Sequence, residues 1–317
     1  MILGGLLALV VGSELLVRGA VGLAFRLGLS TVVIGLTVVS IGTGSPEFAV
    51  AAQSGTTGTG ELALGNVLGS NVANILLVLG TVAVVSAAAI GVTERIVRTD
   101  VPIMVAVTVL AAASMLDGTV GRVEGGVLLA LLGVYLTWNV LAARRGAVVH
   151  PEEFDEATES AREDTAVRSV ALLVAGVALL VLGAGWLVSG STDVALSLGV
   201  PEFVIGLTIV AIGTSAPELA ASITASRRGE TDLAVANVVG SNVVNLLGVL
   251  GVAALVSADG IPVAPTVVRI DLPVLVASAV ACLLVLVRSF RITRSQGVML
   301  LGMYVTYLVV VATVGAG

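Results

Sequence analysis

Apolar residues in this chain come in long runs separated by short polar islands. Ten stretches, 2–25, 31–55, 61–88, 100–116, 122–143, 169–190, 203–226, 232–257, 270–288 and 295–315, are apolar over most of their length. A helix needs about 20 such residues to cross a hydrocarbon core. In lipid, a lone run of this length satisfies its backbone groups only as a helix. The pattern predicts an all-α polytopic membrane protein with ten transmembrane helices, whose surroundings are a lipid bilayer. Composition agrees: 57% of the 317 residues are hydrophobic, 11% are charged, and mean hydropathy is +1.12, whereas soluble domains are roughly a quarter charged.

The polar islands repeat. Shifting the chain by 171 residues lays IGLTVVSIGTGSPEFA (34–49) on IGLTIVAIGTSAPELA (205–220), and NVLGSNVANILLVLG (66–80) on NVVGSNVVNLLGVLG (237–251). Arg98, Asp100 and Pro102 fall on Arg269, Asp271 and Pro273 with the same shift and no gap. Each copy holds five spans, so the second enters the membrane from the opposite side, giving two inverted-topology five-helix repeats. The expected units are 1–143, with its motif at 42–74, and 169–317, with its motif at 213–245. A charged linker at 144–168 joins them.

Orientation follows from the arginines, since basic loops stay in the cytoplasm. One side receives Arg26, Arg95, Arg98, Arg144, Arg145, Arg162, Arg168, Arg227, Arg228, Arg288, Arg291 and Arg294; the other receives Arg122 and Arg269. The bias puts loops after odd-numbered spans, and the 144–168 linker, in the cytoplasm, with both termini outside. The N-terminus has no basic leader segment or small-residue cleavage site and reads as the first membrane helix. The single Cys282 excludes an internal disulfide, and the single His150 excludes a histidine metal cluster. The acidic linker has no EF-hand ligand spacing. No enzyme nucleophile–base pair, cofactor motif, nucleic-acid patch or protein-partner signal stands out.

The chemistry lies at mid-span. Pro46 and Pro217 each remove a backbone donor within a membrane helix, and Gly42, Gly44 and Gly213 beside them are expected to let the chain unwind. Each proline is followed by an acid, Glu47 or Glu218. An acid at a helix centre costs at least about 2.5–3.5 kcal/mol on insertion scales, and no arginine sits at matching depth. Thr43 and Thr214 share a helix face with these acids. Ser70 and Asn74 share another, as do Ser241 and Asn245, with Asn66 and Asn237 one turn earlier. Gly69 and Gly240 are expected to admit close helix packing. Oxygens without sulfur or imidazole suit Na⁺ and Ca²⁺.

GTGSPE and GTSAPE, each followed by GSNVxN, resemble the α-repeats of the sodium/calcium exchanger family, within the cation/Ca²⁺ exchanger superfamily. The resemblance covers essentially the whole chain. It implies a cell-membrane antiporter that exports Ca²⁺ against inward Na⁺ by alternating access, with spans one and six sliding across the rest. It implies that Glu47 and Glu218 bind calcium with the Thr43 and Thr214 carbonyls. It places Ser70, Asn74, Ser215, Ser241 and Asn245 at the sodium and central sites, and the Ser40 and Ala211 carbonyls at further sodium positions. Two positions depart from the pattern: Gly44 lacks the hydroxyl that Ser215 supplies in the second copy, and Asn245 stands where many relatives carry Asp. The rival readings are a cation/H⁺ antiporter on the same scaffold, with Glu47 and Glu218 titrating, and a passive cation channel.

Overall fold

The computed structural model describes residues 1–57, 59–86, 88–145, 165–199, 209 and 211–315. Among them, eight helices are each long and apolar enough to cross a membrane, and one bent pair adds a ninth. The helices are α1 (Ile2–Leu27), α2 (Thr31–Thr43), α3 (Ser45–Thr57), α4 (Gly60–Val85), α5 (Ile96–Ala113), α6 (Arg122–Arg145) and α7 (Ala166–Ser197). They continue with α8 (Ala211–Thr214), α9 (Ala216–Arg227), α10 (Thr231–Val256), α11 (Val267–Ser289) and α12 (Arg294–Gly315). Most of the expected linker, with His150 and Arg162, and the first part of the span expected at 203–226 lie outside the described residues.

Two expectations change. The sixth expected span, 169–190, is longer: α7 starts at Ala166, where the Thr165 side chain accepts the Arg168 N–H at 3.2 Å, and runs to Ser197. No proline or glycine run interrupts it, so the end of the expected linker is helical. The described spans are all helical, as expected, but the loops between them carry short strands that the sequence did not suggest. Four two-residue strands, β1 (Ile90–Gly91), β2 (Thr119–Val120), β3 (Ile261–Pro262) and β4 (Arg291–Ile292), pair antiparallel as β1 with β4 and β2 with β3. They tie loops together across the two halves of the chain.

The 171-residue shift reappears in the backbone. π-helical turns occupy Asn74–Val78 and Ile96–Asp100, and again Asn245–Val249 and Val267–Asp271. The halves interleave: α4 packs on α12 as α10 packs on α6, and α5 packs on α11. Helices α4 and α10 are the most buried, while α6 and α12 present most of their surface outward. Exposed side chains such as Leu3 (82%), Val167 (79%) and Val123 (77%) form an apolar outer surface suited to lipid.

The most extensive seam joins α1 to α7. In lipid no hydrophobic force drives helices together, so close backbone packing must do it, and small residues permit that. Glycines recur every seventh residue on both helices, at Gly5, Gly12 and Gly19 and at Gly176, Gly183 and Gly190. A Cβ on Gly5 would lie 2.8 Å from the Gly183 carbonyl oxygen, and one on Gly19 2.7 Å from that of Ser169, so the pair runs antiparallel. At the end of α1, Gly28 adopts φ 63° and the Leu29 N–H returns to the Ala24 carbonyl at 3.0 Å, closing the helix with a left-handed cap.

Candidate ion-binding site

Helices α2 and α3 meet at 48°, with Gly44 between them. Pro46 has no N–H for the Gly42 carbonyl, and the Ser45 hydroxyl donates to that oxygen instead, at 2.6 Å. The expected unwinding is therefore a single-residue break. Gly44 has φ −77° and Ser215, its counterpart, φ −88°, conformations open to any residue. Gly42 and Gly213 are helical and serve packing. A Cβ on Gly42 would lie 2.7 Å from Val177 Cγ2 on α7, and one on Gly213 would overlap Val188 of the same helix. The glycines let α7 lie against both breaks.

Each break aims an acid inward from the first turn of the following helix. Glu47 on α3 is 1% exposed and Glu218 on α9 is fully buried. They lie close enough for their charges to repel. Among the described residues neither is in an ion pair. Ser70 donates to Glu47 Oε1 at 3.3 Å, while Glu47 Oε2 and both carboxylate oxygens of Glu218 have no hydrogen-bond partner. Two unneutralised buried carboxylates would be destabilising by several kcal/mol each, so this arrangement needs a cation or bound protons to neutralise it.

The surrounding side chains continue the pattern. Asn74 and Asn245 open the π-helical turns of α4 and α10. Such a turn carries one extra residue and is frequent at functional sites. The Asn245 turn packs on α3 and α4, and the Asn74 turn on α9 and α10, so each half contributes to the other's surroundings. The amide oxygen and nitrogen of both asparagines are buried without partners, as are the Ser215 and Ser241 hydroxyls. A Cβ on Gly44 would lie 3.6 Å from Asn245 Oδ1, which sets the first break against the second asparagine. A buried unpaired polar atom is rare and costs about 1–3 kcal/mol. On elements that carry the two acids or pack against those that do, these atoms offer hard, mostly neutral oxygens for a cation such as Na⁺ or Ca²⁺.

Other predicted residues have protein partners. The Thr43 hydroxyl donates to the Val39 carbonyl at 3.1 Å and to Asn237 Oδ1 at 3.3 Å, and Asn237 Nδ2 donates to Ser222 Oγ at 3.0 Å. This chain of bonds clamps the first break to α10 and α9. The Ser40 hydroxyl bonds the carbonyls of Gly35 (2.6 Å) and Asn237 (3.1 Å), and its carbonyl accepts the Gly44 N–H at 3.1 Å. Thr214 is half-buried and bonded, and Ala211 starts α8. Gly240 admits α2 as expected, since its Cβ would lie 2.7 Å from Leu36 Cα; Gly69 meets no described atom within 4 Å. The sequence reading missed Ser222, which has no counterpart in the first half, where Ala51 stands. It also missed the π-helical turns, which leave no compositional mark.

The family described as sodium/calcium exchanger protein matches residues 1–141 and 168–313. A protein of Alkalimonas amylolytica named CaxA is 36% identical over 309 residues, covering 96% of both chains. The sodium/calcium exchanger MaX1 of Methanosarcina acetivorans is 31% identical, again over 96% of each chain. A solved structure of the sodium-calcium exchanger NCX_Mj, soaked with Na⁺ and Ca²⁺, superposes with a TM-score of 0.82 at 31% identity, covering 97% of this chain and 96% of that one.

Proposed function

The chain belongs to the sodium/calcium exchanger protein family, and from that premise we propose that it is an antiporter exporting Ca²⁺ from the cell in exchange for Na⁺. The observation that carries this reading is the pair of buried acids, Glu47 and Glu218, set among unpartnered oxygens and facing no basic side chain among the described residues. Glu47 and Glu218 hold Ca²⁺ with the Thr43 and Thr214 carbonyls. Ser70, Asn74, Ser215, Ser241 and Asn245 offer side-chain oxygens, and the Ser40 and Ala211 carbonyls serve Na⁺. The ions are cargo, and no covalent step or resident cofactor is needed. Two acids balance one Ca²⁺ or two Na⁺. A third Na⁺ would leave an uncompensated charge in a low-dielectric interior. Because both ions use overlapping oxygens, either load neutralises the acids and permits the switch of access, whereas the bare site crosses poorly.

In this reading the chain has ten spans in two inverted repeats, 1–143 and 169–317, joined by the cytoplasmic linker. The strand pairs support it. β1 follows the third span and pairs with β4, which follows the ninth; β2 follows the fourth and pairs with β3, which follows the eighth. Loops of equal parity meet, as they must if ten spans alternate across the membrane. The arginine bias places the β1–β4 side and the linker in the cytoplasm, with both termini outside. The α1–α7 pair, locked by its glycines, is the unit that slides across the two helix breaks.

The test is radiolabelled Ca²⁺ uptake into proteoliposomes loaded with Na⁺, with K⁺ and pH varied separately. Uptake driven by the Na⁺ gradient is expected. Uptake driven by a pH gradient alone would make the chain a cation/H⁺ antiporter, and single-channel openings would make it a channel.

A further inference from the structure

The α1–α7 pair does not sit symmetrically between the two halves. The shift of 171 relates α1 to α7 and α3 to α9, so a symmetric pair would pack equally on α3 and α9. Instead α1 packs along α9, while α7 makes no comparable seam with α3. Ala49, Ala52 and Gln53 on α3 are exposed, whereas their counterparts on α9, Ala220, Ile223 and Thr224, are half-buried. Both break glycines also face α7, Gly42 at Val177 and Gly213 at Val188; symmetry would have set one of them against α1.

Polar groups hold this one-sided position. Glu14, midway along α1, is ion-paired with Arg228 at the end of α9. One residue earlier, the Ser13 hydroxyl shares a 2.8 Å hydrogen bond with Thr224. Between these helices and α7 lies a cavity of about 590 Å³ walled by Leu6, Val10, Leu187, Ile212, Leu219 and Ile223. Aliphatic walls offer little directional hold, so the polar contacts at its Glu14 end fix the register. The mirror positions carry Ala184 and Gly185 on α7, and Gln53 and Thr57 on α3. No ion pair can form there, so the contact is built on one side only.

We propose that Ser13–Thr224 and Glu14–Arg228 form a latch that holds the α1–α7 pair against α9 and biases the transporter toward the state closed on the cytoplasmic side. The proposal rests on the exchanger reading and its orientation, in which Arg228 lies on the cytoplasmic side. Arg228 and Glu14 are 41% and 45% exposed, and Glu230 also acts on Arg228. An ion pair this exposed biases an equilibrium by about two- to five-fold. The latch therefore tunes the resting state while leaving the opposite state within reach.

The test reads accessibility, which needs no ion movement. In a Cys282→Ala background, Ala220→Cys is labelled by a membrane-impermeant maleimide applied from the cytoplasmic side of oriented vesicles. Glu14→Gln and Arg228→Gln should each raise the labelling rate about two- to five-fold, and the reversed pair Glu14→Arg/Arg228→Glu should return it to the parent value. Ser13→Ala and Thr224→Val should shift it in the same direction, and they carry the test if a charge variant does not insert. Unchanged labelling in the folded single variants, or labelling that stays raised in the reversed pair, overturns the latch. Loss of Na⁺-driven Ca²⁺ uptake by the parent protein would instead overturn the exchanger reading, and the labelling result would stand apart from it.

Discussion

Two glycines nine residues apart on one helix should respond oppositely to the same methyl group. A Cβ on Gly176 would lie 2.5 Å from Leu16 N, 2.7 Å from the Gly12 carbonyl oxygen and 2.8 Å from Leu16 Cα, whereas one on Gly185 meets no described atom within 4 Å. The atoms facing Gly176 are all backbone, so no side chain can swing aside. Restoring ordinary contact near 3.5 Å parts α1 from α7 by about 1 Å, which forfeits much of the dispersion along the seam. Gly176→Ala should therefore be destabilising by about 1–3 kcal/mol, the usual range for overpacking. Gly185→Ala has only its helix propensity to change and should be neutral or stabilising by up to about 1 kcal/mol. Thermal melts of the two variants in the same lipid–detergent mixture measure the difference. If the pair slides as one unit, Gly176→Ala should also slow exchange while Gly185→Ala does not. Equal melting temperatures would mean that the glycine seam does not hold the pair together.

Asn245→Asp should alter the Na⁺ and pH dependence of exchange more than its preference for Ca²⁺, because it adds an acid coupled to two others; superimposable Na⁺- and pH-activation curves would place this side chain outside the ion site. Leu116→Cys, in the loop before β2, should be labelled only from outside, and Ser289→Cys, beside β4, only from the cytoplasm; labelling of both from one side would break the alternation of spans. Burial, with the neighbouring Asp232, raises the Glu230 carboxyl above the ordinary 4.5, opposed by Arg228. The folded protein then holds that proton more tightly than the unfolded chain, so this group's contribution to stability is favourable at low pH and declines as pH rises past 4.5. Glu230→Gln should flatten that part of a stability–pH profile, and an unchanged profile would discard the assignment.

The membrane class, the duplication and the paired acids were legible because lipid makes polar residues conspicuous. Glu47 and Glu218 stand out in apolar runs, and two copies in register turn a coincidence into a pattern. What escaped was set by packing. Gly42, Gly44 and Gly213 suggested unwinding, yet the breaks are confined to Gly44 and Ser215, two positions past Gly42 and Gly213, which instead make room for α7. Ser45, to which the sequence assigned no role, is committed to the Gly42 carbonyl, which can receive no N–H from Pro46. Asn237 shares a helix face with Asn245, and only the three-dimensional arrangement separates the one spent on Thr43 and Ser222 from the one left free.

The central claim is that Glu47 and Glu218, with the free oxygens of Asn74, Asn245, Ser215 and Ser241, form one cation site shared by Ca²⁺ and Na⁺. Calorimetric titration of Ca²⁺ into the purified protein, repeated at rising Na⁺ and on Glu47→Gln and Glu218→Gln, tests it most directly. The account predicts a single class of Ca²⁺ site that Na⁺ displaces competitively and that either substitution abolishes, in variants that remain folded and monodisperse. Calcium binding of undiminished affinity in both variants, or binding indifferent to Na⁺, would contradict it.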